Sequence, residues 1–214
     1  MKDLLIYGAG GFAREVLQIV QAVNSVNPTW HFRGFVVDPE HAGPKGDLNG
    51  FPVATDISEL SDDDTPEVFI GIGNPMVRQR IAAKLAQWGC AFPTIVHPNA
   101  WIGEQVTLGA GTIICAGCCL TTDIVIGRHC HLNLTSTVGH DTRLGDFCTI
   151  SPGVNISGNV CLEEGVEIGT GAALLPKVTV GASSVVGAGA VVLKDIPANA
   201  TAIGIPARVI RTHD

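Results

Sequence analysis

Aromatic and charged side chains are scarce in this chain of 214 residues. It contains seven Phe, three Trp and one Tyr, and only 15% of its residues are charged, although 46% are hydrophobic. A chain this apolar can bury a sizeable core, which excludes a disordered polymer. With so few rings, that core must be filled by aliphatic and small side chains in a repetitive packing.

Long runs of basic residues and long apolar runs are missing as well. No run of Lys or Arg exceeds two residues and the net charge is −7, so we expect no nucleic-acid partner. No apolar stretch approaches the roughly 20 residues of a membrane span. Asp3 and the glycines after it interrupt the apolar run that a signal peptide needs. These absences predict a soluble, cytoplasmic protein with no membrane partner.

What is present divides into two halves, and the first resembles a Rossmann-like α/β domain over residues 1–95. In this half, short apolar runs alternate with helical patterns. We expect a loop over 41–50 and a solvated acidic turn over 61–64. The predicted elements are a strand at 4–7, a helix from Gly10, strands at 32–37 and 67–73, and a helix from its N-cap Asn74 to Trp88.

From Ile102 onward the sequence has a period of six residues. Every sixth residue up to Val192 is Ile, Leu or Val, sixteen in all, whereas these three types make up only 57 of the 214 residues. Glycine follows the aliphatic residue in eight of the sixteen repeats, and a small or β-branched residue stands two positions before it. A helix cannot use this period, because six-residue steps rotate around its surface.

The period predicts an all-β parallel solenoid over residues 96–214. The aliphatic side chains would point inward and stack on their copies in neighbouring coils. The small residues would fill the corners between strands, and the glycines would supply backbone freedom there.

The seven cysteines raise the question of a metal site. A Cys-x-x-Cys-Cys segment at 115–119 and a His-Cys-His segment at 129–131 resemble zinc ligands. However, Cys118, Cys130 and Cys148 all fall on the small inward position of the repeat, where a thiol acts as a compact hydrophobe. An odd number of cysteines without a secretion signal also indicates reduced thiols. We therefore predict no metal.

Five further segments accompany the repeat: Tyr7-Gly-Ala-Gly-Gly-Phe-Ala-Arg-Glu15, Gly34-Phe-Val-Val-Asp38, Ile70-Gly-Ile-Gly-Asn74 with Arg78, Lys194-Asp-Ile-Pro197, and Gly204-Ile-Pro-Ala-Arg208. The repeat resembles that of the hexapeptide-repeat acyltransferases, whose domain is a left-handed parallel β-helix that trimerises. The whole chain resembles the PglD-like family of nucleotide-aminosugar N-acetyltransferases, a group that includes the NeuD-type O-acetyltransferases of sialic acid.

Acetyl transfer to an amine needs a general base and a donor for the developing oxyanion. Of the seven histidines, only His140 lies in the solenoid with an acid, Asp141, after it. From the pattern alone, His140 is better explained as a solvent-facing corner residue, as most histidines on a solenoid surface are. The resemblance implies that His140 is the base, that Asp141 orients it, and that Asn133 is a polar residue near the active site.

The resemblance also implies acetyl-coenzyme A as co-substrate and a homotrimer. In the family, acetyl-CoA lies in the groove between two neighbouring solenoids, so that one active site uses two chains. The positions of this sequence that match the groove are Thr149, Gly169, Thr170, Gly187 and Ala188.

The segment from Gly8 to Ala13 fits the GxGxxG/A pattern, in which glycines let a phosphate approach a helix N-terminus. A domain of about 95 residues is half of a dinucleotide-binding fold, so a nucleotide diphosphate-sugar is a better ligand than NAD. Asp38 would accept hydrogen bonds from the base or ribose. The predicted substrate-binding residues are Gly8, Gly10, Gly11, Phe12, Asp38, Gly73 and Asn74.

The resemblance thus predicts an acetyl-CoA-dependent N-acetyltransferase. Its acceptor would be a UDP-, dTDP- or GDP-linked amino sugar, and more narrowly a 4-amino-4,6-dideoxyhexose. Two alternatives stay open: a NeuD-type O-acetyltransferase of sialic acid or another sugar, and a non-catalytic nucleotide-sugar-binding scaffold. An NAD-dependent enzyme is disfavoured by the size of the first domain.

Overall fold

A computed structural model describes residues 1–41, 47–61 and 65–213 of the chain. An α/β domain comes first and a three-sided parallel β-helix follows it. The elements of the first domain are β1 (Lys2–Tyr7), α1 (Gly11–Val26), β2 (Trp30–Val36), β3 (Asp47–Leu48), β4 (Phe51–Ala54), β5 (Glu67–Ile70) and α2 (Pro75–Gln87), with 3-10 turns at Pro39–His41 and Ile57–Glu59.

The sheet of the first domain has the strand order β3-β4-β2-β1-β5, and β1, β2, β4 and β5 are parallel. The predicted helices are confirmed, and the Asn74 side chain accepts a hydrogen bond of 3.0 Å from the backbone N–H of Val77, as an N-cap does. The loop predicted over 41–50 is wrong in part, because β3 pairs with β4 in an antiparallel hairpin. Pro and Asp are uncommon in strands, so the sequence of these two short strands does not indicate them.

Two of the predictions for connecting segments fall partly on residues that the structure leaves undescribed. Residues 42–46 of the predicted loop and residues 62–64 of the predicted acidic turn lie outside the described ranges.

The β-helix has three flat faces. The strands of face 1 are β7 (Trp101–Ile102), β10 (Cys119–Leu120), β13 (Thr137–Val138), β16 (Asn155–Ile156), β19 (Ala173–Leu174) and β22 (Val191–Val192). Those of face 2 are β8 (Val106–Leu108), β11 (Ile124–Ile126), β14 (Arg143–Leu144), β17 (Cys161–Leu162) and β20 (Thr179–Val180). Those of face 3 are β6 (Ile95–Val96), β9 (Ile113–Ile114), β12 (His131–Leu132), β15 (Thr149–Ile150), β18 (Glu167–Ile168), β21 (Val185–Val186), β23 (Ala200–Ile203) and β24 (Arg208–Thr212).

Three edges join these faces, and each coil takes 18 residues, since Thr137 pairs with Asn155. The first edge, between faces 1 and 2, contains residues 121–123, 139–141 and 157–159. The second edge, between faces 2 and 3, contains 109–112, 127–130, 145–148, 163–166 and 181–184. The third edge, between faces 3 and 1, contains 115–118, 133–136, 151–154, 169–172 and 187–190.

The six-residue pattern forms the core as predicted. Fourteen of the sixteen aliphatic side chains are buried, and Ile102 and Leu108 of the first coil are half-buried. The small inward residues are buried too, except the half-buried Ala100 and Val106 of the first coil, and where they carry a hydroxyl or thiol they donate it to the next coil. For example, the Thr112 hydroxyl lies 2.8 Å from the carbonyl of Gly127, and the Cys130 thiol lies 3.1 Å from that of Gly145. The inward cysteines therefore also link neighbouring coils by hydrogen bonds.

The role predicted for the repeat glycines is wrong. In fifteen of the sixteen repeats the left-handed backbone conformation falls on the third residue after the aliphatic one, and that residue is often not glycine, as at Gln105 or Asn159. The glycine directly after the aliphatic residue is required by close packing instead. A Cβ on Gly109 would lie 2.5 Å from the carbonyl carbon of Gly127 in the next coil.

The first domain packs on face 3 and on the second edge. β6 pairs with β9 at residues 95–96, where the boundary is predicted, and the Thr94 hydroxyl donates to the carbonyl of Gly109 at 2.9 Å. At the far end, residues 196–212 cover the last coil: Ile196 bridges to β20, β23 pairs with β21, and Ala207 donates its backbone N–H to Val191. Within the described ranges, neither helix is long and apolar enough to cross a membrane.

Candidate active site

A cavity of about 580 Å³ opens at the carboxyl ends of β1, β2 and β5. The predicted substrate residues Gly8, Gly10, Gly11, Phe12, Asp38 and Gly73 all line it. Asn74 is the exception: it is not among the lining residues, because its side chain caps α2. Parallel sheets bind their ligands at this edge, so the cavity is the candidate substrate site of the first domain.

Glycine is needed around this cavity for two different reasons. Gly8 has a φ of +112°, a conformation that other residues rarely adopt. Gly71 lies so close to α1 that a Cβ there would stand 2.6 Å from the Cα of Ala13. The N-cap of α1 is Gly10, which offers no capping side chain. The first backbone N–H groups of α1 therefore remain available to an anion in the cavity.

Asp38 is held at the cavity wall by two partners that the sequence did not predict. Its Oδ1 accepts a hydrogen bond of 2.6 Å from the Tyr7 hydroxyl and is paired with the ammonium group of Lys84. The hydrogen bond from Lys84, and then that from Tyr7, lowers the pKa of Asp38, which is therefore ionised at neutral pH. Burial, followed by the bond to Asp38, raises the pKa of Tyr7 to about 12. No local sequence signal links these three residues, because only folding brings them together.

His140 and Asp141 lie at the first edge of the β-helix. The His140 Nδ1 lies 2.7 Å from the Asp141 Oδ2, and the two side chains are 60% and 57% exposed. Asp141 has a φ of +59°, which Asp tolerates better than most residues. A carboxylate only accepts hydrogen bonds, so Nδ1 carries the proton and Nε2 keeps its lone pair. The pair has the arrangement of a general base and its orienting group.

Asn133 and the predicted cofactor residues Gly169, Thr170, Gly187 and Ala188 lie on the third edge, not beside His140 in the same chain. Asn133 donates its Nδ2 to the carbonyl of Ile150 at 3.0 Å. Thr170 and Ala188 are exposed, and both glycines are half-buried. This edge therefore presents a row of small residues, separated from His140 by the width of face 1.

Known proteins resemble the chain over its whole length. The sequence profile described as the PglD N-terminal domain matches residues 3–85. GDP-perosamine N-acetyltransferase of Escherichia coli O157:H7 is 34% identical over 212 residues, a match that covers 96% of this chain and 95% of that enzyme. The chain belongs to the PglD-like family of hexapeptide-repeat acetyltransferases.

Solved structures of the PglD-like family agree with the fold. WeeI from Acinetobacter baumannii AYE superposes with a TM-score of 0.88 and 34% identity, covering 98% of this chain and 100% of its own. PerB from Caulobacter crescentus, solved in complex with CoA and GDP-perosamine, gives a TM-score of 0.86 and 30% identity over 99% and 98% of the two chains. The predicted family and the predicted fold class, an α/β domain followed by a left-handed β-helix, are confirmed.

In this PglD-like chain, a buried arginine joins the two domains. Arg78 of α2 is fully buried and donates hydrogen bonds of 2.7 to 3.2 Å to both sides of the junction. Its acceptors in the first domain are the carbonyls of Ile72 and Gly73, which line the cavity. Burial lowers the pKa of Arg78 to about 10, so it stays charged at neutral pH. Its acceptors in the β-helix are the carbonyls of His129, Phe147 and Cys148 and the hydroxyl of Thr149.

Thr149 belongs to this junction and not to an open groove. Its side chain is buried on face 3, accepts from Arg78 at 2.9 Å and donates to the carbonyl of Gly73 at 2.7 Å. Thr149, a position matched to the cofactor groove, therefore has its hydroxyl bonded under the first domain in this chain.

The cysteines are free thiols, most of them buried. Burial raises the pKa of Cys115 to about 12 and that of Cys118 to about 11, so both stay protonated at neutral pH and are poor metal ligands. Among the described residues, one group of at least three possible ligands has all its ligand atoms within 4.8 Å of one another, that of Asp38, Glu40 and His41, and it contains no cysteine. Asp38 there is already bound to Tyr7 and Lys84.

Proposed function

We propose that this chain transfers the acetyl group of acetyl-CoA to the amino group of a nucleotide-linked amino sugar, with His140 as general base. The acceptor we favour is a 4-amino-4,6-dideoxyhexose. The hydrogen-bonded pair of His140 and Asp141 carries this proposal, because its geometry leaves the Nε2 lone pair free in a chain of the acetyltransferase family. Full-length relatives that are named for GDP-perosamine support the choice of substrate class.

The reaction needs one proton to be moved. The amine nitrogen attacks the thioester carbonyl carbon, a C–N bond forms, and the C–S bond breaks. His140 Nε2 takes the proton that the nitrogen loses and gives it to the departing sulfur, so the products are the N-acetyl sugar and free CoA. Asp141 keeps Nδ1 protonated and stabilises the imidazolium while it exists.

The cavity of the first domain would hold the nucleotide part of the acceptor. The diphosphate would lie against Gly10 and Gly11, where the N-terminus of α1 supplies unpaired N–H groups. Asp38 is ionised and fixed by Tyr7 and Lys84, so it offers a rigid acceptor to a hydroxyl or base N–H. A volume of about 580 Å³ is in the usual range of small-molecule sites.

Acetyl-CoA would lie along the third edge, as predicted for Gly169, Thr170, Gly187 and Ala188. Their small side chains leave the backbone accessible to a long flexible ligand. Asn133 lies on the same edge, two coils before Gly169, and is proposed as a polar contact near the thioester.

We further infer that the enzyme is a homotrimer whose active sites lie between subunits. The first domain covers face 3 and the second edge, whereas His140 lies on the first edge, and the lining of the cavity contains no solenoid residue among those described. A sugar bound in the cavity would therefore meet His140 of another copy. Three-fold packing of the solenoids would bring the first edge of one chain toward the third edge of the next.

The function is tested by measuring the thiol released from acetyl-CoA. The panel contains UDP-, dTDP- and GDP-linked 4-amino-4,6-dideoxyhexoses and free sialic acid, with wild type beside His140→Ala. We expect turnover with at least one nucleotide amino sugar and a loss of kcat of about 100-fold or more in His140→Ala. The matched control is Thr122→Ala, at the same place on the first edge one coil earlier, which keeps wild-type turnover.

Three outcomes would contradict the proposal. Turnover that survives His140→Ala would remove the base from the mechanism. Turnover with free sialic acid only would favour the O-acetyltransferase, and binding of a nucleotide sugar without any turnover would favour the scaffold.

A further inference from the structure

The imidazole of His140 rests on the backbone of Gly158 in the next coil. A Cβ on Gly158 would stand 2.6 Å from Nε2, 2.7 Å from Cε1 and 3.0 Å from Cδ2 of the ring. Because these distances are similar, the added carbon would lie over the face of the ring. An approach to Nε2 in the ring plane would leave the two carbons much farther away. The glycine therefore supports one face of the ring and leaves the in-plane lone pair of Nε2 open.

Backbone geometry does not explain a glycine at this position. The φ of Gly158 lies outside the left-handed region. Gly158 stands two residues after the aliphatic residue of its repeat. Among the sixteen repeats, it is the only glycine at that position. Other repeats carry Ala, Thr, Pro or larger residues there, as at Ala110 and Pro152. The position accepts a side chain in general, and the ring of His140 is what excludes one here.

The ring has few other supports. Its side chain is 60% exposed, and Asp141 holds only the Nδ1 side. The backbone of the two coils is linked beside the ring, since the N–H of Asn159 donates to the carbonyl of His140 at 2.8 Å. A fixed surface under the ring therefore decides where Nε2 points.

We propose that Gly158 is a positioning residue for the base of this reaction. Because Gly158 has no side chain, the His140 ring can pack against the next coil. In that position the ring keeps both its hydrogen bond to Asp141 and the direction of Nε2. This inference rests on the proposed function, in which His140 takes the proton from the amine.

The test is the Gly158→Ala variant. The exposed ring moves away easily, so the melting temperature stays at the wild-type value while the base is displaced. We expect kcat to fall about 10- to 100-fold, because a displacement of roughly 1 Å costs about that much. KM for the nucleotide sugar and for acetyl-CoA changes less than about two-fold. In ¹⁵N NMR spectra of the imidazole, the signature of the Nδ1–H tautomer weakens.

Two controls accompany the test. Ala110→Ser adds one heavy atom at the same position of another repeat and keeps the wild-type kcat. In the double variant, Gly158→Ala has no effect when His140→Ala is already present, because the ring that it displaces is gone.

The outcomes separate this inference from the proposed function. If His140→Ala is as active as wild type, the proposed function is wrong. If His140→Ala is inactive but Gly158→Ala keeps the wild-type kcat and tautomer signature, the role of Gly158 is wrong. A loss of activity that follows a lower melting temperature would likewise reduce Gly158 to a structural role.

Discussion

Two histidines nine residues apart show how the surroundings of a side chain decide its chemistry. His140 is exposed and bonded to a carboxylate. His131 is buried at the domain junction with its ring centroid 4.8 Å from that of Phe12. No hydrogen bond of ordinary geometry reaches its ring nitrogens from the described part of the chain. Burial, followed by the charge of Arg78, holds the pKa of His131 well below its ordinary value, although the Ile70 backbone favours the charged form.

His129 lies in the same junction and adds to the effect. Its ring is stacked on Phe147 at 5.1 Å and contacts the edge of Phe92 at 4.7 Å. Burial, followed by the nearby charges of Arg78 and Arg128, lowers the pKa of His129 to about 4. His129 is therefore neutral in the folded protein at pH 5 but protonated in the unfolded chain, and the lowered pKa of His131 acts in the same direction.

We expect the protein to lose stability as the pH falls from about 6.5 to 4. In this window the unfolded chain binds protons that the folded protein excludes, which for His129 alone amounts to about 3 kcal/mol. His131→Leu removes one such group, so its free energy of unfolding falls less between pH 7.5 and pH 5 than that of wild type. At pH 7.5 the variant is as stable as wild type or more so, because no buried nitrogen is left unpaired.

Urea unfolding at the two pH values measures this difference. Leu132→Met is the control, since it changes packing beside His131 but removes no titratable group, and it keeps the wild-type pH dependence. An unchanged pH dependence in His131→Leu would contradict the assignment.

At the scale of the strand and turn, each coil of the β-helix assigns separate tasks to separate positions. The aliphatic residue fills the core, the small residue before it bonds to the next coil, and the glycine after it allows close approach. The turn residue at the third position takes the left-handed conformation. Two glycines of the same turn can therefore be needed for unrelated reasons.

Gly127→Ala and Gly153→Ala separate these two reasons. A Cβ on Gly127 would stand 2.6 Å from the carbonyl carbon of Gly145, so the coils must move apart, and we expect a loss of about 2 to 3 kcal/mol in the free energy of unfolding. Gly153 has a φ of +68° with open space around it, so its substitution costs only about 1 kcal/mol. Urea unfolding of both variants tests the order, and equal losses would contradict it.

The sequence predicts the structure that follows from a repeated pattern and the contacts between residues that are consecutive in the chain. The six-residue period predicts the coils and their core, and His140 and Asp141 are recognised because they are consecutive. The junction could not be predicted, because Arg78 finds acceptors 51 to 71 residues away along the chain. Gly158 carries a signal only once the coil length of 18 residues is known, since it stands 18 residues after His140.

At the scale of the whole molecule, the two predicted sites of one chain point in different directions. The cavity lies in the first domain, and His140 lies on an edge that this domain does not cover. Arg78 and Thr149 fix the domain in that position, because the cavity wall at Gly73 is bonded to both. In the proposed trimer, a rigid junction of this kind means that the packing of the chains sets the distance between cavity and base.

Mixed trimers test the shared active site. Gly11→Glu places a carboxylate where the diphosphate would bind, in open space at the start of α1, and His140→Ala removes the base. Each variant alone is nearly inactive. If each site combines the cavity of one chain with His140 of the next, refolding an equal mixture restores about a quarter of the wild-type sites. If both parts belonged to one chain, every chain would carry a defect and the mixture would stay inactive.

The tail that covers the last coil limits how the β-helix could be extended by the strands of another molecule. An open β-helix ends in unpaired N–H and C=O groups, and such an end invites another molecule to add its strands and begin a fibre. Here Ile196, β23 and Ala207 each pair with the last strand of a different face, and β24 then turns back antiparallel to β23. The tail thereby occupies the end of the stack that a parallel strand of a second molecule would otherwise extend.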